Sequence, residues 1–277
     1  SKLSIPPFIV TLATMLMGRG LTYTLLKAQT KGPLPTSYTY IGAGFLPTMK
    51  IPFGNGTLDV VSIIVAGIAT VLVIMAELKS INTKKKYGFS TNPLWQVIIK
   101  EAVILMIVWF FFYKLSRYNG IPFVLVIMGV LVGLYHFITS KTVAGRQIYA
   151  LGGNAKAAKL SGINTNRVYF LAYLNMGLLA AIAGMVTVAR LNSANPTAGN
   201  SYEMDAIGAC FIGGASAYGG TGTVPGVIVG ATLMGVLNLG MSIMGVDQNL
   251  QKVVKGGVLL AAVIFDVVSK RKSFIVK

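Results

Sequence analysis

The sequence predicts an all-α fold: a polytopic bundle of transmembrane helices, with a short helix near 205–218 that is either half-length or broken. Three observations predict it. Of the 277 residues, 54% are hydrophobic and only 11% charged, with a mean hydropathy of +0.71, whereas a soluble domain is about a quarter charged. Several apolar runs approach or exceed the roughly 20 residues that cross about 30 Å of hydrocarbon. Those runs are continuous, while a transmembrane β-barrel needs short segments of alternating polarity.

Eight apolar segments can be drawn, roughly 8–26, 58–78, 94–115, 121–138, 168–189, 205–218, 224–244 and 253–268. Before the first, "IPPFIVTL" follows Ser1 almost at once, with neither the charged region nor the cleavage site of a signal peptide. The chain is therefore expected to begin inside a longer protein. After it, 29–57 is rich in Gly and Pro and does not span. It reads equally as a plain linker or as an ordered cap, because long loops with their own aromatics (here Tyr38 and Tyr40) are often ordered. In the third segment Glu101 follows Lys100, where pairing or snorkelling tolerates it. The fourth holds Gly129-x-x-x-Gly133 and the seventh opens on Gly226-x-x-x-Gly230, spacings that let helix backbones approach in lipid. Asn175 and Asn238 are amides at membrane depth in the fifth and seventh. The sixth has about 14 residues, too few to span comfortably, and runs into "GGTGTVPG" at 219–226. That run resembles a phosphate cradle, but Pro225 breaks the pattern and no strand precedes it, so a tight turn between packed helices is the better reading.

Charge orients the chain. Thirteen Lys and Arg fall in 79–93, 140–167 and 269–277, against six in 29–57, 114–120, 190–204 and 245–252. Placing the richer set in the cytoplasm alternates correctly through all eight segments and puts the C-terminus inside. The net charge of +17 is then an inside-loop excess, not a nucleic-acid surface. One histidine (His136) and one cysteine (Cys210) make no metal set. No nucleotide loop, nucleophile triad or unpaired mid-span carboxylate is present, so no catalytic residue and no cofactor is expected.

The most basic inside loop contains "GGNAKAAKLSG", residues 152–162. It reads as a short amphipathic helix with Asn154 as N-cap, Ala157 and Ala158 as strong helix formers and Gly162 as the stop. Within "GRQIYALGGNAKAAKLSGIN", Lys156-Ala157-Ala158-x-x-x-Gly162 resembles the Glu-Ala-Ala-x-x-x-Gly signature of ATP-binding-cassette importer permeases, with lysine in place of glutamate. "IPPFIVTLATMLMGRGL", "YEMDAIGACFIGGASAYGGTGTVPG" and "LQKVVKGGVLLAAVIFDVVSKR" resemble the monosaccharide branch of that family, permeases for xylose and for multiple monosaccharides among them.

The resemblance implies that 1–277 is one transmembrane permease domain, short of its N-terminal spans, in the bacterial inner membrane. It implies a second permease copy, cytoplasmic ATPase subunits, an extracytoplasmic sugar-binding protein and a monosaccharide substrate. It makes 152–163 a coupling helix, with Gly153, Asn154, Lys156, Ala157, Ala158, Ser161 and Gly162 engaging the ATPase. Alanines 157 and 158 are expected to pack closely against that partner. Phe8, Thr11, Asn175, Asn192 and Asn238 are candidates to line the path, since a sugar needs hydroxyl partners and a stacking surface. The rival class, a secondary transporter without an ATPase, calls for mid-span ionisable residues and gives the 152–162 helix no role. A membrane scaffold fits the composition but not these motifs.

Overall fold

A computed structural model describes residues 7–53, 56–88 and 93–275. The opening residues 1–6 and the last two, part of the stretch expected in the cytoplasm, lie outside the described residues. The chain divides into two compact units, 35–127 and the pair of stretches 1–34 and 128–277.

In the first unit the described part of the Gly- and Pro-rich connection carries regular structure. It holds a helix α2 (Thr36–Ala43) and an antiparallel hairpin of β1 (Lys50–Phe53) and β2 (Gly56–Asp59), paired Ile51 to Leu58 and Pro52 to Thr57. Of the two readings of 29–57, the described stretches 36–43, 50–53 and 56–57 are thus built structure. Two long helices follow, α3 (Val60–Lys86) and α4 (Leu94–Arg117), packed on one another. Asp59 joins hairpin to helices. Its Oδ1 accepts from the Met49 amide at 3.0 Å, and its Oδ2 accepts from the Ser62 amide at 3.0 Å and the Ser62 hydroxyl at 2.7 Å. The Asp59 amide donates to Ser116 Oγ, which donates back to the Asp59 carbonyl. Asp59, Ser62 and Ser116 are buried, and the closed network leaves neither carboxylate oxygen without a donor, as burial of a charge requires. Lys100 donates to Glu77 Oε2 across α3 and α4 at 2.9 Å and lies 3.8 Å from Glu101 Oε1.

The second unit contains α1 (Pro7–Leu26), most of α5 (Phe123–Lys141), the short pair α6 (Val143–Gly153) and α7 (Ala155–Leu160), then α8 (Thr165–Leu191), α9 (Tyr202–Ile212), α10 (Val224–Ile243) and α11 (Gln248–Ile275). α9 packs on both α10 and α11. The contact with α10 depends on glycine. A β-carbon added at Gly230 would strike the Ala209 carbonyl, and one at Gly213 would stand 2.5 Å from the Gly226 carbonyl. The Gly226-x-x-x-Gly230 spacing therefore does what its small residues suggest, whereas Gly129 and Gly133 face open space.

Six helices among the described residues are long and apolar enough to cross a membrane: α1, α3, α4, α5, α8 and α10. The protein is a multi-pass helical membrane protein. The expected short sixth segment is α9, whose eleven residues extend about 16 Å at 1.5 Å per residue, half the hydrocarbon thickness. The eighth segment is a 28-residue helix, α11, but it is not among the six. Lys255 and Asp266 interrupt its apolar stretch, with Lys252 and Lys270 at the flanks.

Candidate functional site

The basic loop folds as its sequence suggests. Thr142 caps α6, its Oγ accepting from the Gly145 amide. Asn154 caps α7, its Oδ1 accepting from the Ala157 amide at 3.0 Å. Gly162 ends the element at φ +83°, where only glycine is at ease. The Ile163 amide reaches back to the Ala158 carbonyl and the Gly162 amide to Lys159, the paired bonds of a Schellman turn. Ser161 Oγ donates to the Ala157 carbonyl, and Asn164 then caps α8.

On α7 the two alanines part company, Ala157 exposed and Ala158 covered. Ala158 is buried within its own chain, so it is committed to internal packing. Lys156, Ala157 and Lys159 are exposed. Leu160 is 90% exposed, the most of any large apolar side chain described. Sequence reading passed over it, although a lone leucine in a polar loop was the available signal.

Behind α7, the end of α6 lies against the 219–222 loop, backbone on backbone. A β-carbon at Gly152 would come within 2.6 Å of the Gly220 amide nitrogen, and one at Gly219 within 2.7 Å of the Gly152 carbonyl. Tyr149 donates its hydroxyl to the Gly222 carbonyl at 2.7 Å. Gly219, Gly220 and Gly222 all hold positive φ, which frees the loop to follow the helix end. The turn reading of "GGTGTVPG" holds, with the addition that the turn is docked on α6. It leads straight into α10 through the Thr223 cap. An apolar cleft of about 410 Å³ opens beside this contact, bordered by Tyr135, Thr139, Tyr149 and Thr221.

A second polar site joins α9, α10 and α11. Asp205 Oδ2 accepts from Asn238 Nδ2 at 3.0 Å and from Lys255 Nζ at 2.9 Å. Asp205 Oδ1 and Asn238 Oδ1 are buried with no hydrogen-bond partner. Sequence reading singled out Asn238 but not Lys255, which lies 50 residues from its carboxylate. Nearby in sequence, Arg19 on α1 donates to Asn200 Oδ1 at 3.0 Å and lies 3.8 Å from Glu203.

The five path candidates are dispersed among the hydrogen bonds of the described residues. Phe8 and Thr11 share a local bond on exposed α1. Asn175 accepts from the Tyr135 hydroxyl. Asn192 ends α8 at φ +51° and its Oδ1 accepts from the Leu34 amide at 2.9 Å. Asn238 alone joins a charged cluster. No group of His, Cys, Asp and Glu suited to a metal occurs among the described residues.

A family model described as "Branched-chain amino acid transport system / permease component" matches residues 1–263. The xylose transport system permease protein XylH of Haemophilus influenzae is 39% identical over 268 residues, covering 97% of this chain and 68% of that protein. The protein of the same name from Escherichia coli K12 is 35% identical over 269 residues, covering 97% and 66%. The ribose import permease protein RbsC of Escherichia coli K12 is 45% identical over 157 residues, covering 57% and 49%. The chain thus spans about two thirds of the length of the xylose permeases it matches. No solved structure matches it.

Proposed function

The chain belongs to the family of branched-chain amino acid transport system / permease components, and on that premise we propose that it is the membrane subunit of an ATP-driven monosaccharide importer. The observation that carries the reading is identity of 39% and 35% across 97% of the chain with two xylose permeases. The ATP is hydrolysed by a partner. A second permease copy and an extracytoplasmic binding protein complete the assembly.

In this reading the transport cycle alternates between outward-open and inward-open states, each favoured by a different set of partner contacts. α7 meets the ATPase through the face that is free to do so: Lys156, Ala157, Lys159 and Leu160. The exposed leucine supplies an apolar anchor, and the lysines supply charge. Gly153, Asn154, Ser161 and Gly162 shape the element and present that face. Motion at α7 passes to α6, and from Gly152 and Tyr149 to the 219–222 loop and α10. The 140–167 loop and the C-terminus lie in the cytoplasm of a bacterial cell, and 190–204 lies outside.

The test is reconstitution of the full-length permease with its ATPase and binding protein in liposomes. ATP-dependent uptake of xylose or ribose is expected, abolished when the ATPase is omitted. Uptake that persists without the ATPase and follows an ion gradient would establish a secondary transporter instead.

A further inference from the structure

Asp205, Asn238 and Lys255 stand at one end of the unit that holds them. α9 begins at that end, α10 finishes there at Ile243, and α11 starts there at Gln248. At 1.5 Å per residue, Asn238 lies about 7 Å in from its helix end and Lys255 about 10 Å in from its own. Both therefore lie beyond the terminal turn of their helices. Yet the side chains of Lys255 and Asp205 keep 18% and 20% of their surface uncovered. A partly uncovered charge among spanning helices is disfavoured against lipid, so it belongs on a surface that meets water or protein.

We infer that this face of α9, α10 and α11 lines the solute's route, and that Asp205, Asn238 and Lys255 form a station for a neutral polyhydroxylated solute. The inference rests on the importer reading and deepens it. Two features of the site select that chemistry. The carboxylate and ammonium cancel, so the site's net charge favours neither anions nor cations. The two oxygens left without partners, Asp205 Oδ1 and Asn238 Oδ1, are both acceptors, and buried polar atoms in proteins nearly always find a partner. What completes the site must therefore bring donors. A sugar brings several, and each hydroxyl accepts as well as donates, so the remaining protons of Lys255 can answer in return.

The two oxygens are covered in the present arrangement. The solute reaches them when α9 shifts against α10 or α11, which makes the station accessible in one phase of the cycle and closed in another. With only eleven residues α9 is a short element, and glycine lines its contact with α10, so little side-chain bulk opposes such a shift.

The experiment uses the full-length permease with its ATPase and binding protein in liposomes, with xylose and its monodeoxy analogues at saturating concentration. Two variants are compared with the parent: Asn238→Leu, and the charge-neutral pair Asp205→Asn with Lys255→Met. Loss of a hydrogen bond to a charged or buried group predicts uptake of xylose slowed by about tenfold. One deoxy analogue should be spared that loss, so that the preference for xylose over it disappears. ATPase retention should be unchanged. An equal slowing of every sugar, or no slowing, overturns the station and leaves a packing ion pair.

A second measurement does not depend on uptake. With Cys210→Ala as background, the thiol of Asn238→Cys should react with a cationic methanethiosulfonate reagent. Millimolar xylose should slow that reaction severalfold. A thiol that xylose does not protect, in a parent complex that transports xylose, overturns the inference alone. A parent complex without ATP-dependent uptake of any sugar sinks the importer reading, while protection by xylose would still register the station.

Discussion

A single methyl group at Gly152 should disturb the protein where the same group at Gly153 does not. The two glycines are neighbours at the end of α6, and both gain helix propensity of about 1 kcal/mol on replacement by alanine. Their surroundings differ. A β-carbon at Gly152 would stand 2.6 Å from the Gly220 nitrogen and 3.3 Å from its α-carbon, while one at Gly153 meets nothing within 4 Å. Ordinary contact needs about 3.5 Å or more, so Gly152→Ala must push the 219–222 loop back by about an ångström. Overpacking of this kind costs about 1–3 kcal/mol, leaving a net loss of about 0–2 kcal/mol after the propensity gain. Gly153→Ala should be neutral or slightly stabilising. Gly152→Val adds further bulk against backbone and should sit above that range. Thermal unfolding of the purified full-length permease reads the stability, and the ratio of sugar moved to ATP hydrolysed reads the coupling. The expected order of stability is Gly153→Ala, then Gly152→Ala, then Gly152→Val, with the transport ratio falling in the same order. Equal stability and equal coupling for all three would refute the backbone contact between α6 and the glycine loop.

Asp59→Ala removes the acceptor of three hydrogen bonds in a closed buried network and should cost about 2–4 kcal/mol, read as a lower melting temperature. Ala158→Trp should fail at folding, because Ala158 is buried within its own chain, whereas Leu160→Glu should leave yield and melting unchanged and reduce ATPase retention in pull-down. Gly162→Val places a β-branched residue at φ +83°, a penalty of about 1–2 kcal/mol or more, and should loosen the turn into α8, measured by limited proteolysis at 160–165. Thiols introduced by Thr36→Cys or Ala198→Cys should react with impermeant reagent from outside the cell; reaction only from the cytoplasm would invert the topology.

The spanning helices were legible because hydropathy acts over twenty residues at a time, and a lone loop residue hardly alters the average. The caps at Asn154 and Gly162 were legible for the opposite reason: each is a local matter, settled within four residues of its own position. What the sequence concealed was pairing at a distance. Nothing near Lys255 announces Asp205, and nothing near Gly152 announces Gly220, because both contacts depend on how separate helices are laid side by side. The inward face of α7 was hidden for a related reason. A helix of six residues is under two turns long, so its apolar periodicity cannot say which alanine its neighbours cover. The helix and hairpin in 36–59 were masked by a composition of Gly and Pro that suits tight turns and irregular chain equally well.

The brevity of α9 has a consequence for water. After Ile212 the chain continues to α10 as eleven residues of turns and extended backbone, 213–223. A lipid-facing stretch of that kind is not tolerated, because hydrocarbon offers its amides nothing to bond; it survives only within protein or beside a wet cavity. Where the long spans lock their amides into helix, these residues hold theirs by isolated turn bonds, such as Gly214 to the Phe211 carbonyl and Gly219 to the Ser216 carbonyl, which open one at a time. Deuterium should therefore enter 214–222 sooner than it enters the middle of α8 or α10, making this segment the place where the interior of the protein first feels the solvent.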